Sequence, residues 1–430
     1  MIGNIITKFK NSKSEKKVII SNFFSLATLE VINYIIPLIT IPYLVRVLQP
    51  AKYGLVAFAQ VFASYFVIAV DYGFYLSAPR EIAINRDDLE KISKIFSNIM
   101  ATKFCLMLIA TIFFLTLIFC IKRFAEDKIL FLFSFGNVLG DYLFPVWFFQ
   151  GMQRMKLITF FYSIAKIFFL IMIFLFIKSP ADYFYVPLFN NLGLIIAGFL
   201  SLYIIIKNFK IRIYLPALGE ILKEIKNKFS YFISTISINA YTNSGAFILG
   251  LFAGNLYVGY YSAAERLIRA IQRILWAGSQ SVYPYINRLV SKSETLGLRF
   301  IKKFMIIFNG GFFVISMLIF IFAKRIVFTV LGQDYLESVN VLYILSFLPF
   351  IISLSNILGI QTMLSWGLIK DYSKIVFSAM LINISLSIIM ANIYKHIGIA
   401  FAVVLTELYI AIVAFILLKI KKINLFLKNS

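Results

Sequence analysis

One apolar stretch of this chain, residues 257–287, carries Glu265, Arg266, Arg269, Gln272 and Arg273. On a helix advancing 100° per residue, Arg266, Arg269 and Arg273 share one face within about 60°. A guanidinium offers a planar fork of donors that matches phosphate oxygens, so three on one face can hold an anion such as a diphosphate. One glutamate cannot neutralise all three. The alternative is that they sit near a cytoplasmic helix end and only enforce orientation.

Other polar residues recur at helical spacing inside apolar runs. Glu30, Asn33 and Pro37 share a face of 18–45, and Gln60, Ser64 and Asp71 share a face of 54–79. Glu30, Asp71, Glu265 and Asp141 are candidates for ion coupling or for structural ion pairs. Asn137 and Asp141 share a face in 129–150, Lys166 lies in 157–177, and Asn239 and Asn243 share a face in 229–253. Lys166 joins the arginines as a candidate substrate-binding cation. Asn33, Gln60, Asn239 and Asn243 are candidate sugar contacts, or else they tie helices together. Lys103 is the fifth basic residue inside an apolar run. At a helix centre such a charge costs about 2.5–3.5 kcal/mol on insertion scales, so each needs water or a partner.

Much familiar chemistry is excluded. There is one histidine, His396, and two cysteines, Cys105 and Cys120, both in one apolar segment. Neither a zinc site nor a histidine-based catalytic dyad is readily built from that set. No Walker, GxSxG, HExxH or CxxC pattern is present, so no metal, cofactor or catalytic residue is expected.

The elements that must position these residues are membrane spans. Of 430 residues, 61% are hydrophobic and only 14% charged, against about 25% in an average soluble domain. That much apolar surface must face lipid. Twelve spans are predicted: 18–45, 54–79, 95–121, 129–150, 157–177, 183–206, 229–253, 257–287, 304–323, 339–365, 371–394 and 397–418. With the N-terminus inside, cytoplasmic loops and ends hold 28 Lys and Arg, outside loops nine. This is the positive-inside bias, with both termini cytoplasmic, and it accounts for the net charge of +23 without nucleic acid. Lys8, Lys10, Lys13, Lys16 and Lys17 form the start of a cytoplasmic tail, 1–17.

YGLVAFAQ at 53–60 and VGYYSAAE at 258–265 suggest an internal repeat, with Lys94 and Arg299 at the same offset. The expected fold is therefore an all-α polytopic membrane protein with about twelve helices in two lobes around a central cavity. The lobes are 18–206 and 229–418, joined by a cytoplasmic loop at 207–228, with a cytoplasmic tail at 419–430. Two-lobe repeats are a usual frame for alternating access.

Residues 33–93 carry IPYLVRVL, YGLVAF, DYGF and REIAINRDD, and 144–159 reads FPVWFFQGMQRMKLIT. These stretches resemble the bacterial O-antigen flippases of the polysaccharide transporter family, within the MATE-like multidrug/oligosaccharidyl-lipid/polysaccharide (MOP) superfamily. Two positions depart from that pattern: Gln49 stands where Gly usually follows Leu, and Pro79 precedes Arg80 where Thr is more usual. The resemblance implies translocation of polyprenyl-diphosphate-linked oligosaccharide between leaflets of the inner membrane. Its partners would be that lipid-linked oligosaccharide, membrane lipids and a polysaccharide polymerase. The competing readings are a MATE-type drug or cation exporter, which the arginine stripe disfavours, and a membrane polymerase or glycosyltransferase. A polymerase would carry a large outside loop, and none is visible.

Overall fold

The computed structural model describes the backbone of residues 2–423 and the side chains of 35–423, apart from Ser234, Ser237, Ile238, Ala240 and Tyr241. In chain order the α-helices are α1 Ile2–Asp71, α2 Phe74–Ile84, α3 Leu89–Cys120, α4 Lys122–Ala125, α5 Lys128–Leu143, α6 Val146–Gly151 and α7 Met155–Phe176. There follow α8 Tyr185–Asn208, α9 Leu218–Phe252, α10 Asn255–Lys292, α11 Glu294–Ile326, α12 Ser338–Leu345, α13 Leu348–Asn356 and α14 Ile369–Ile420. Short 3-10 and π turns join them, and no strand occurs among the described residues.

Among the described residues, eight runs are long and apolar enough to cross a membrane. Two of them, Ile35–Ile84 with 50 residues and Ile369–Ile420 with 52, would extend about 75 Å or more if straight. The hydrocarbon layer is roughly 30 Å thick, so each must supply two crossings. The chain breaks where this requires it: Gln49 interrupts α1 at φ 58°, ψ 166°, and Lys395 interrupts α14 at φ 52°, ψ −128°. α9 and α10 are long enough, at 35 and 38 residues, but carry too many polar groups to stand out by hydropathy. Counting them gives the twelve crossings expected from the sequence.

The chain divides into two compact units, residues 1–43 with 59–236, and residues 44–58 with 237–430. In the first unit α5, α7 and α8 pack through small residues. A Cβ at Gly140 would lie 2.9 Å from that of Leu194, and one at Gly193 would lie 2.6 Å from the Ala165 carbonyl oxygen. The small-xxx-small run GNVLG at 136–140 therefore serves helix packing inside the unit. Phe62, Phe66, Phe114, Phe131 and Phe135 form a ring cluster, stacked or edge-on, between α1, α3 and α5. The loop after α8 is pinned to α3, because Ser97 and Ser93 hydroxyls accept the Tyr214 and Arg212 amides at 2.9 and 3.1 Å.

In the second unit, the 44–58 segment meets the start of α10 without room for a side chain. A Cβ on Gly54 would fall 1.9 Å from the Asn255 carbonyl oxygen, and one on Gly259 would fall 2.0 Å from that of Pro50. Gly54 and Gly259 are the matched glycines of the internal repeat, 205 residues apart, and so are Pro50 and Asn255. The contact is thus reciprocal. The same offset pairs Pro79 with Pro284, each inside a helix, and Gln49 with Gly254. Gly254 has φ 97°, ψ 168°, a region open in practice only to glycine, and Gln49 adopts nearly the same backbone. The sequence departure at 49 is therefore a strained turn.

Candidate functional site

Helix α1 stops at Asp71 because Tyr72 and Gly73 both take positive φ, 49° and 80°. α2 restarts at Phe74, with the Tyr75 amide donating to the Asp71 carboxylate at 3.2 Å. A transmembrane helix broken in this way frees backbone groups and fixes one carboxylate at the break. The Lys103 ammonium of α3 lies 3.3 Å from Asp71 Oδ1 and 3.0 Å from Asp141 Oδ2 of α5. Its side chain is 2% exposed, against 14% for Asp71 and 38% for Asp141. Two of the sequence-predicted carboxylates are thus brought together by Lys103, which the sequence reading counted among the basic residues inside apolar runs but gave no role.

A signal for it existed. Counted from the cytoplasmic ends of their predicted spans, Asp71, Lys103 and Asp141 stand at matching depths, about 12–14 Å in at 1.5 Å per residue. Three charges at one depth in consecutive spans are natural partners, since each alone is costly in lipid. Gln60 is half-buried on α1, three turns before Asp71 on the same face.

Lys166 stands apart on α7. It donates to Asn190 Oδ1 at 3.3 Å and lies over the rings of Tyr162 and Phe169 at 5.3 and 5.7 Å. Asn191, next along α8, donates to the Phe133 carbonyl at 2.7 Å and so holds α5. Lys166 therefore occupies an aromatic and amide setting with cation–π support.

In the second unit the arginine stripe of α10 divides in function. Arg269 is engaged on every side: Glu265 Oε1 at 2.9 Å, Asn243 Oδ1 at 3.2 Å and the Thr242 carbonyl at 2.9 Å. Tyr261 also donates to Glu265 at 3.0 Å, and Asn243 donates to Asn239 Oδ1 at 3.3 Å. Glu265, Arg269, Asn239 and Asn243 are therefore one cluster between α9 and α10. The guanidinium of Arg266 lies 5.2 Å from the Tyr53 ring centroid, and Arg273 is exposed. Glu265 pairs with Arg269, and Arg266 and Arg273 lie on the same face of α10. Glu30 and Asn33 lie outside the described side chains. No group of three or more His, Cys, Asp or Glu able to hold a metal occurs among the described residues.

Sequence reasoning also passed over Glu407, on the second half of α14. It is 9% exposed and accepts from Ser355 of α13 at 3.2 Å. Further polar ties in the unit use amides and hydroxyls. Asn383 accepts from Ser244 and donates to Thr406, both at 3.1 Å, and Gln361 donates to Ser279 Oγ at 2.8 Å.

Twelve crossings, helices broken inside the membrane and charged clusters within the spans of each unit define a multi-pass α-helical membrane protein of transporter architecture. Solved structures with this fold include the lipid II flippase MurJ in an inward closed conformation, with TM-score 0.70 and 17% identity, covering 94% of this chain and 87% of that one. An inward-facing MATE multidrug transporter of the MOP superfamily superposes with TM-score 0.64 at 14% identity, over 93% and 98% of the two chains. The chain belongs to the family described as polysaccharide biosynthesis protein, which matches residues 19–290. It is 31% identical over 388 residues to the "Putative O-antigen transporter" of Escherichia coli (strain K12), covering 90% of this chain and 93% of the relative. A protein of the same description from Shigella dysenteriae is 28% identical over 396 residues, 90% and 96% of the two chains.

Proposed function

We propose that this protein is a flippase that moves polyprenyl-diphosphate-linked oligosaccharide units from the inner to the outer leaflet of a bacterial inner membrane by alternating access. The observation that carries this reading is the α10 stripe, where three arginines share a membrane-crossing face. Guanidinium groups on one face match the oxygens of a lipid diphosphate. Arg266 and Arg273 meet the diphosphate, Arg269 is held in place by Glu265 and Asn243, and Lys166 is the candidate substrate-binding cation of the first unit. Asn239, Asn243 and Gln60 meet sugar hydroxyls, as Asn33 does from the first span, while the lipid tail stays in the bilayer.

Both termini face the cytoplasm, as the Lys and Arg bias requires. The lobes 18–206 and 229–418 act as the moving halves, and the product is handed to a polysaccharide polymerase. Two negative charges leaving an inside-negative cell gain about 4.6 kcal/mol per 100 mV, so the potential alone favours export. Asp71 and Asp141 around Lys103, with Glu265 and Glu30, are the groups through which an ion can couple. The chain acts as a transporter and supplies no catalytic group.

The test is complementation of a bacterium lacking its own flippase, scored by surface polymer and by lipid-linked units retained inside. Wild-type chain restores polymer. Arg266→Gln with Arg273→Gln lowers it at least tenfold while the protein remains in the membrane. Unchanged flipping in that double variant refutes the arginine assignment.

A further inference from the structure

We propose that His396 is a pH-operated clamp at the outer end of the second unit. Neutral, its ring locks the break in α14 to the first turns of α10, and acid in the outer compartment releases it. The side from which acid reaches it rests on the orientation given under the proposed function. The clamp itself rests on geometry within the unit.

Three connections of the second unit meet at this ring. Tyr257 and Tyr260 lie on the first turns of α10, just after Gly254. Glu337 ends the turn that leads into α12. Lys395 breaks α14 at φ 52°, and His396 is the next residue. The His396 ring stacks on Tyr257 with centroids 5.3 Å apart and packs against Tyr260 at 5.6 Å. The two tyrosines are themselves 6.5 Å apart, so the three rings close a triangle. Tyr335, which is fully buried, meets Tyr260 edge-on at 6.2 Å, and the Ser338 hydroxyl donates to the Tyr260 carbonyl at 2.9 Å. The Lys395 ammonium donates to Tyr257 Oη at 2.7 Å. A positive φ in a lysine persists only where its surroundings hold it, and here α10 holds it through the Lys395 side chain and the His396 ring.

His396 is the single histidine of the chain. It is 5% exposed, and neither ring nitrogen has a hydrogen-bond partner among the described residues. Buried polar atoms are ordinarily paired, so two orphans on one ring call for an explanation. The charged groups that act on the ring are Glu337 and Lys395. Glu337 Oε2 lies 3.9 Å from Nε2, beyond hydrogen-bond reach, on a side chain that is 61% exposed. Asp334 acts on Tyr260 and Tyr335, one step further out, and beyond Tyr335 come Tyr53 and Arg266. Burial holds the imidazole below its ordinary value of 6.5, with Glu337 opposing the shift.

Protonation makes both ring nitrogens donors, and the aromatic triangle offers neither an acceptor. Glu337 is a carboxylate one short movement away, on a side chain that solvent leaves free to turn. The imidazolium leaves the tyrosines for Glu337 and water. The sign agrees with linkage. A folded-state value below the unfolded one gives the packed ring its full stability above about pH 6.5, and that stability is lost as pH falls toward the depressed value. Once the ring has left, the break at Lys395 loses one of its two holds, and the halves of α14 are free to change angle.

Ring-13C histidine in the full chain, purified through a tag without histidine, gives one imidazole resonance. Its titration midpoint lies below 6.5 in wild type. It falls further in Glu337→Gln, where the opposing charge is gone. A midpoint at or above 6.5, or one unmoved in Glu337→Gln, overturns the assignment.

Release is read by hydrogen exchange at about pH 5 and about pH 7.5, corrected for intrinsic rates. Peptides spanning 257–263 and 396–402 lose protection about tenfold in acid in wild type, the factor that one unit of depression supplies. His396→Phe keeps a ring in the triangle and has nothing to titrate, so its protection is equal at both values. Equal loss in wild type and His396→Phe, or no loss in wild type, overturns the clamp. Should His396→Phe fail to fold, Glu337→Gln decides: its loss of protection moves to lower pH together with the resonance, and a loss that stays in place overturns the clamp.

Tyr394, beside the break, is 58% exposed. Tyr394→Cys, in a chain carrying Cys105→Ser and Cys120→Ser, reacts with an impermeant maleimide in intact spheroplasts. Reaction only after lysis overturns the outer-compartment part and the orientation beneath it, while the resonance and the exchange data still judge the clamp.

Discussion

Lys103→Met tests whether the triad with Asp71 and Asp141 organises the first unit. The lysine is 2% exposed and bridges two carboxylates on different helices, at 3.3 and 3.0 Å. Methionine keeps most of the volume and removes the charge. Two carboxylates then share a buried site without a cation, and breaking a buried pair by removing one partner costs about 3–5 kcal/mol. A unit of about 200 residues loses about 2–4 °C in Tm per kcal/mol, so the expected drop is about 6–20 °C. Lys103→Met combined with Asp71→Asn and Asp141→Asn restores most of it, because replacing a whole buried ion group is often neutral or stabilising. The assay is thermal unfolding of detergent-solubilised protein, with surface polymer scored in parallel. A Tm for Lys103→Met within about 1 °C of wild type refutes the reasoning, as does a triple variant no more stable than the single one.

Three further outcomes follow from the backbone and the loops. Gln49→Gly relieves a conformation costing about 1–3 kcal/mol, against about 0.5–1 kcal/mol of added chain entropy, so Tm rises or holds. A fall would show that the Gln49 side chain matters more than its φ of 58°. Gly259→Ala pushes a methyl to 2.0 Å from the Pro50 carbonyl oxygen and lowers both Tm and flipping, while Gly310→Ala, with nothing within 4 Å, changes neither. Equal effects would remove the argument from close packing. In the loop before α8, the Lys178 and Ser179 amides and the Ser179 hydroxyl hold the Asp182 carboxyl below its usual range. Its folded-state value lies under the unfolded one, so its contribution is complete above the ordinary carboxylate range, near pH 4, and is lost as pH falls through the depressed value. Asp182→Asn loses part of that stability at pH 7 and narrows the gap to wild type as the medium is acidified, read as Tm against pH.

How far the site was legible depends on the residue. Glu265 and the three arginines stood out because four charges on one apolar segment break its hydropathy. Asn243 shared a face with Asn239, and the structure hands it to Arg269. Asp71 and Asp141 were visible as single carboxylates, but their partnership ran through Lys103, whose own segment showed only one charge. Glu407 was hidden for the same reason. It is one carboxylate in an otherwise lipid-compatible run, and its meaning lies in Ser355 on another helix.

The sequence by itself determined that this chain crosses the membrane, where the crossings fall and which residues repeat. Hydropathy and backbone hydrogen bonding leave an apolar chain in lipid almost no choice but helices of a set length. The glycines at 54 and 259 were also legible as matched positions of the repeat. Only the tertiary structure decided that these glycines meet each other, that the 44–58 segment belongs with α10 in the second unit, and which buried charges neutralise which. Charges a few ångströms apart in low dielectric interact far more strongly than sequence spacing can register. Their partners lie on helices 30 to 40 residues away, and only packing selects among them.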